Sequence, residues 1–166
     1  MEKVLVSACL LGAKVRYHGG DAASSNPTLQ RWLDEGRLVP VCPEVDGGLT
    51  TPRPAAEIAG GGGRAVVARL AFVRTKDGAD VTHAFLTGAA RALATARQHG
   101  IRAAILKDGS PSCGSSFVYD GSFSGTRASD AGVTAALLAQ HGIRVFSENE
   151  IETAEEFLRK IESAIG

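Results

Sequence analysis

The sequence predicts an α/β protein: a single three-layer domain whose mainly parallel, Rossmann-like sheet is covered by helices and interrupted by one long Gly/Pro-rich loop. Three observations carry this reading. Short apolar runs bounded by turn residues alternate with segments of helical periodicity. Two helix-to-strand junctions, Gln98-His99-Gly100-Ile101-Arg102 and Gln140-His141-Gly142-Ile143-Arg144, repeat one design. A chain of 166 residues is long enough for one domain (1–166) that buries about two-thirds of its unfolded surface without staples.

The elements follow in order. The apolar run over 3–8 is the first strand. Asn26, Pro27 and Gly36 supply the N-cap, first turn and stop of a helix over 27–35. Leu38-Val39-Pro40-Val41 is the second strand. The glycines and prolines of 46–64 rule out a regular element and predict a long functional loop or flap. Phe85, Ala89, Leu93 and Ala96 recur at helical spacing, so a helix covers 82–99. Ala103-Ala104-Ile105-Leu106 is the next strand, and Tyr119-Asp120-Gly121 is a tight turn or hairpin corner. A helix over 130–140 and a strand over 143–146 complete the second repeat. Asn149 then caps a terminal helix that places Ile151, Phe157, Leu158, Ile161 and Ile165 on one face. Gly100 and Gly142 suit the left-handed helix-ending position, and His99 and His141 read as cationic caps.

Eighteen basic residues balance eighteen acidic ones, without a long block of either sign. That argues against a large nonspecific nucleic-acid footprint and leaves small polar substrates open. Met1-Glu2-Lys3 leads straight into the first strand, and no apolar run is long enough to span a bilayer. A cytoplasmic protein is expected. The three cysteines, Cys9, Cys42 and Cys113, are an odd number, which argues against a purely internal disulfide framework.

Each cysteine falls at or just after an apolar run. In an open parallel sheet, ligands bind beyond the carboxyl ends of the strands. Three thiols meeting there would hold a metal or cluster and leave one position open. Strand position alone fits equally well with three buried cysteines acting as small hydrophobes. The flanks tip the balance. Ser110-Pro111-Ser112-Cys113-Gly114, preceded by Lys107 and Asp108, is poor core material and suits a rigid loop whose amides face an anionic centre. Cys42-Pro43-Glu44 puts a carboxylate beside a second thiol, as a proton-transfer group or as a solvated loop charge. Arg53, between Pro52 and Pro54, clamps a substrate oxygen or faces solvent. His18 could complete a Cys3His zinc site, although Gly19 and Gly20 suggest a turn there. Gly60-Gly61-Gly62-Gly63 lacks the pattern of a phosphate loop and reads as a flexible connector.

Several motifs in this order resemble the thiouracil desulfurase family. They are Ser7-Ala8-Cys9-Leu10-Leu11-Gly12, Val15-Arg16-Tyr17, Pro40-Val41-Cys42-Pro43-Glu44, Gly47-Gly48-Leu49 with Pro52-Arg53, Ile105-Leu106-Lys107 with Ser110-Pro111-Ser112-Cys113-Gly114, Tyr119-Asp120-Gly121 with Phe123-Ser124-Gly125, and Gly132-Val133-Thr134-Ala135 with Val145-Phe146-Ser147-Glu148. Asp130 departs from the pattern, where the family tends to have glycine. The resemblance implies a [4Fe-4S] cluster held by Cys9, Cys42 and Cys113, with the fourth iron open to the sulfur of a thiolated pyrimidine such as 2-thiouracil, or of a thiolated nucleoside. On this reading Glu44 is the candidate general base and Ser112 the candidate proton relay or hydrogen-bond donor. Arg53, Ser110 and Lys107 are the candidate substrate-binding groups. The competing expectations are a zinc or cysteine-nucleophile hydrolase and a binding or sensor module that uses the cluster for stability.

Overall fold

The computed structural model describes residues 1–165. In chain order the elements are β1 (Val4–Ser7), a 3₁₀ turn (Ala8–Leu11), α1 (Pro27–Asp34), β2 (Leu38–Val41), α2 (Pro43–Asp46), β3 (Ala56–Ala59), α3 (Gly63–Val67), β4 (Phe72–Thr75), α4 (Thr82–Gln98), β5 (Ala103–Leu106), β6 (Val118–Tyr119), β7 (Arg127–Ala128), α5 (Val133–Gln140), β8 (Arg144–Ser147) and α6 (Ile151–Ile165). Four parallel strands form the central sheet in the order β2-β1-β5-β8. Two antiparallel pairs, β3-β4 and β6-β7, stand apart from it.

Alternation along the strands divides the core. Val4, Val6, Ala103 and Ile105 face Leu29 and Trp32 of α1 and Ile151, Ala154 and Leu158 of α6. Leu5, Ala104 and Leu106 face Ala92 and Ala96 of α4 and Ala135 and Leu138 of α5. Both sheet faces are therefore covered, and the middle strands are apolar throughout. A third cluster joins Ile58, Val66 and Val73 to Phe85, Ala89 and Val133, seating the β3-β4 pair and α3 on the α4/α5 layer.

The α/β class holds, with corrections at several elements. The 46–64 stretch is not structureless: β3 lies inside it and α3 starts at its end, because β3 pairs with a strand that comes later in the chain. The helix expected over 130–140 starts at Val133, since Gly132 before it is extended, at φ −74° and ψ 172°. The strand expected over 143–146 runs one residue later, as Arg144–Ser147. Asn149 does not cap α6. Its own N–H goes to Ser147 Oγ, and Glu150 accepts the Ser147 N–H. The Ile165 side chain lies outside the described residues. His99 and His141 do end their helices, each followed by a left-handed glycine.

Candidate functional site

The chain leaves β1 for β2 on one side, while β5 lies on the other. The crevice beyond the ends of β1 and β5 is thus the topological switch point of the sheet. A cavity of about 490 Å³ opens there, and Cys9, Cys42 and Cys113 all line it. Cys9 sits in the 3₁₀ turn directly after β1, closed by Gly12 at φ 94°. Cys42 immediately precedes α2, with Pro43 in the first turn and Asp46 accepting the Cys42 N–H.

Cys113 belongs to a loop built around a carboxylate. Asp108 Oδ1 accepts from the amides of Gly109, Ser115, Ser116 and Phe117 at 3.1–3.3 Å, and Ser116 Oγ donates to Oδ2. Burial opposes ionisation of Asp108, but the hydroxyl and amide donors outweigh it and hold the carboxyl below its usual range. The other side of the loop is gripped by α5. The amides of Gly132, Val133 and Thr134 donate to the carbonyls of Gly114, Pro111 and Ser112 at 2.7–2.9 Å, so the loop satisfies donors that a helix start leaves unpaired.

The three thiols affect one another. Burial pushes Cys9 up to about 11, with neighbouring Cys42 adding to the rise and Arg16 and Lys107 opposing it. Burial pushes Cys113 up to about 12, against a hydrogen bond from Ser7 and with Glu44, Cys9 and Cys42 adding. Cys42 is raised chiefly by burial as well. Such a cavity holds thiolates only when positive charge enters with them.

Glu44 also lines the cavity, and its two oxygens have different partners. Arg53 Nε donates to Oε1 at 3.2 Å and Ser110 Oγ to Oε2 at 3.3 Å. The Arg53 side chain is buried and makes three further hydrogen bonds, to Thr50 O, Thr51 Oγ1 and Val15 O. Most of its fork is therefore bound to protein. Ser110 Oγ also accepts the amides of Ser112 and Cys113 at 3.1 Å, which orients its hydroxyl hydrogen toward Glu44. Lys107 lines the cavity with its ammonium held by Glu148 and by the carbonyl of Asp108, both at 2.9 Å.

Two residues weighed as site groups lie away from the cavity. Ser112 does not reach the cavity: it is fully buried, and its hydroxyl pairs with Thr134 Oγ1 at 2.8 Å. Ser110 is the hydroxyl that faces Glu44. His18 is also absent from the lining. Its Nδ1 accepts the Gly20 N–H in the turn that the glycines suggest. Among the described residues no three His, Cys, Asp or Glu side chains converge as a single metal ion would require.

Comparison with known proteins decides the family. Residues 4–150 match the 2-thiouracil desulfurase family. The chain belongs to that family. It is 49% identical over 148 residues to the uncharacterized protein YbbK of Bacillus subtilis (strain 168), covering 89% of this chain and 97% of that protein. Its structure is similar to that of TudS, a [4Fe-4S]-dependent thiouracil desulfidase, with a TM-score of 0.88 at 45% identity over 96% of this chain and 99% of that one. No helix among the described residues is long and apolar enough to cross a membrane.

Other groups at or beside the cavity escape a reading by residue type. Glu148 ties Lys107 to the Asp108 amide, and Ser7 Oγ accepts the Lys107 N–H at 2.9 Å. Phe117, Tyr119 and Phe123 line the cavity with Glu57 and Arg127. The sequence signal for this wall is the crowding of three aromatics into one short stretch of a chain that is only 5% aromatic.

Proposed function

We propose that this protein is an iron-sulfur-dependent, non-redox desulfidase that hydrolyses the C=S group of a thiolated pyrimidine such as 2-thiouracil, giving a uracil-type product and hydrogen sulfide. The observation that carries the reading is the convergence of three thiols, two buried and that of Cys42 half-buried, from three neighbouring parallel strands, on one cavity beside a carboxylate held by a serine and an arginine. Family membership and the likeness to TudS support it.

The donor set fits a [4Fe-4S] cluster. Three soft thiolates spread around a cavity, with no fourth cysteine in the chain, suit a cluster with one iron left open. Cys9, Cys42 and Cys113 would hold it. When bound, it supplies a Lewis acid for the thiocarbonyl sulfur and draws electrons from the carbon to be attacked.

The remaining steps belong to the chain. Glu44 takes a proton from the attacking water, while Arg53, on its other oxygen, fixes the carboxylate's orientation. Ser110 hands a proton between Glu44 and the departing group, the role that the sequence suggested for Ser112. Lys107 adds positive charge to the cavity wall and steadies developing negative charge. Water contributes its oxygen to carbon and its two hydrogens to sulfide, so no electron donor is required. Free base or nucleoside suits the balanced charge better than a nucleic acid does, and the whole chain acts as one cytoplasmic domain.

The test is anaerobic reconstitution followed by a sulfide assay. Loaded protein should carry about four irons per chain and release sulfide from 2-thiouracil. A fully loaded protein that releases none from any thiopyrimidine base or nucleoside would overturn the substrate; activity surviving loss of any two cysteines would overturn the cluster.

A further inference from the structure

The turn between β6 and β7 takes no part in the chemistry above, yet its Phe123 lines the same cavity as the thiols. Phe123 is in the left-handed region, at φ 56°, a conformation that bulky side chains rarely adopt. Strain of this kind persists only where the surroundings enforce it. The enforcing group is Glu57 of β3, whose Oε1 accepts the amides of both Gly121 and Phe123, at 3.0 and 3.2 Å. A second constraint lies beside it. A Cβ on Gly121 would stand 2.5 Å from the carbonyl oxygen of Ile58, so the turn is pressed onto the β3 backbone.

The neighbouring ring differs. Phe117 has the Arg127 guanidinium 4.0 Å from its centroid and the Tyr119 ring perpendicular to it, with 5.9 Å between centroids. Among the described residues no aromatic ring or cation pairs with Phe123, which is half-buried on the cavity wall. A fixed aromatic ring on the cavity wall with no such partner opposes a flat ring well, because stacking depends on planarity and little on the ring's substituents.

We infer that Phe123 is the platform on which the substrate ring stacks, that Glu57 is the positioning residue that holds it, and that the pair selects planar unsaturated rings over puckered ones. This rests on the desulfidase reading for the identity of the ring. The probes are uracil and 5,6-dihydrouracil, whose saturated C5–C6 bond puckers the ring, titrated by calorimetry into cluster-loaded protein.

Wild type should prefer uracil. In Phe123→Ala uracil affinity should fall about tenfold and the preference should vanish, with iron content and visible spectrum unchanged, while the KM for 2-thiouracil rises by a similar factor and kcat stays within about twofold. Phe123→Gly relieves the backbone and should show the same losses, which keeps the test open if the alanine variant folds poorly. Glu57→Ala should follow Phe123→Ala, and Glu57→Gln, which keeps an acceptor oxygen, should restore wild-type binding. Unchanged uracil affinity in both Phe123 variants overturns the platform, as does a wild type that binds uracil no better than dihydrouracil. A Glu57→Ala protein that binds like wild type overturns the positioning role. A wild type that binds uracil but releases no sulfide from 2-thiouracil sinks the desulfidase reading alone.

Discussion

Glu44 has one oxygen committed to a fixed cation and the other to a mobile proton, and this division makes its role testable. Glutamine at this position preserves the shape and cannot take a proton. Glu44→Gln should lower turnover about 10²- to 10⁴-fold at unchanged iron content, read by sulfide release beside an iron assay. Normal turnover would remove Glu44 from the proton path. The two serines provide a sharper contrast. Ser110→Ala should lose most of the activity, whereas Ser112→Ala should keep it and lose about 1 kcal/mol of stability in a denaturant titration, the usual worth of a buried hydrogen bond. The reverse pattern would restore the role to Ser112. At this scale the meeting of the thiols and Glu44 in one cavity was legible in the sequence, because ligand crevices of a parallel sheet lie beyond its strand ends. Ser110 and Ser112 could not be told apart, since which hydroxyl faces the cavity depends on how Asp108 winds the loop. The part Asp108 plays was not legible, for its four amide donors meet only in the folded turn.

Among the elements, the short helix α2 carries Glu44 and follows directly on Cys42, and it rests on α4 with almost nothing between them. A Cβ on Gly88 would lie 1.9 Å from the carbonyl oxygen of Pro43, and one on Gly47 would lie 2.0 Å from that of Ala84. Gly88→Ala must therefore lift α2 away from the layer below. We expect a loss of about 1–3 kcal/mol by chemical denaturation, together with a lower iron content as Cys42 shifts. A variant as stable as wild type, with full iron, would show that α2 is not set by this contact. The signal was present in the sequence: glycine inside a helical pattern costs about 1 kcal/mol against alanine and asks for a reason. The helix α4 was legible from its spacing alone. The strand β3 was not, because a four-residue strand among glycines and prolines is defined by its partner, and β4 follows after another helix.

At the scale of the whole molecule the thiols tie stability to pH. Unfolded, they ionise near their ordinary value of about 9; folded, Cys9 and Cys113 hold their protons to about 11 and 12. Before a cluster is loaded, the protein's stability should be steady below pH 9 with respect to these groups. It should fall as pH rises from 9 through 11 and 12, because the unfolded chain gives up its protons first. Denaturant midpoints at pH 8 and 10 should differ in wild type and differ less in a Cys9→Ala/Cys113→Ala protein; equal slopes would remove the thiols as the cause. The overall class was legible because alternating runs of two periods leave few layered solutions, but the strand order was not, since which strands become neighbours is settled by packing across the sheet. That order governs the timing of the protein's maturation. Cys9 and Cys42 are synthesised early, but the third thiol appears only after β5, and β5 lies on the far side of β1 from β2. A growing chain thus cannot gather its three thiols in one cavity before residue 113 has been made and β5 has inserted beside β1.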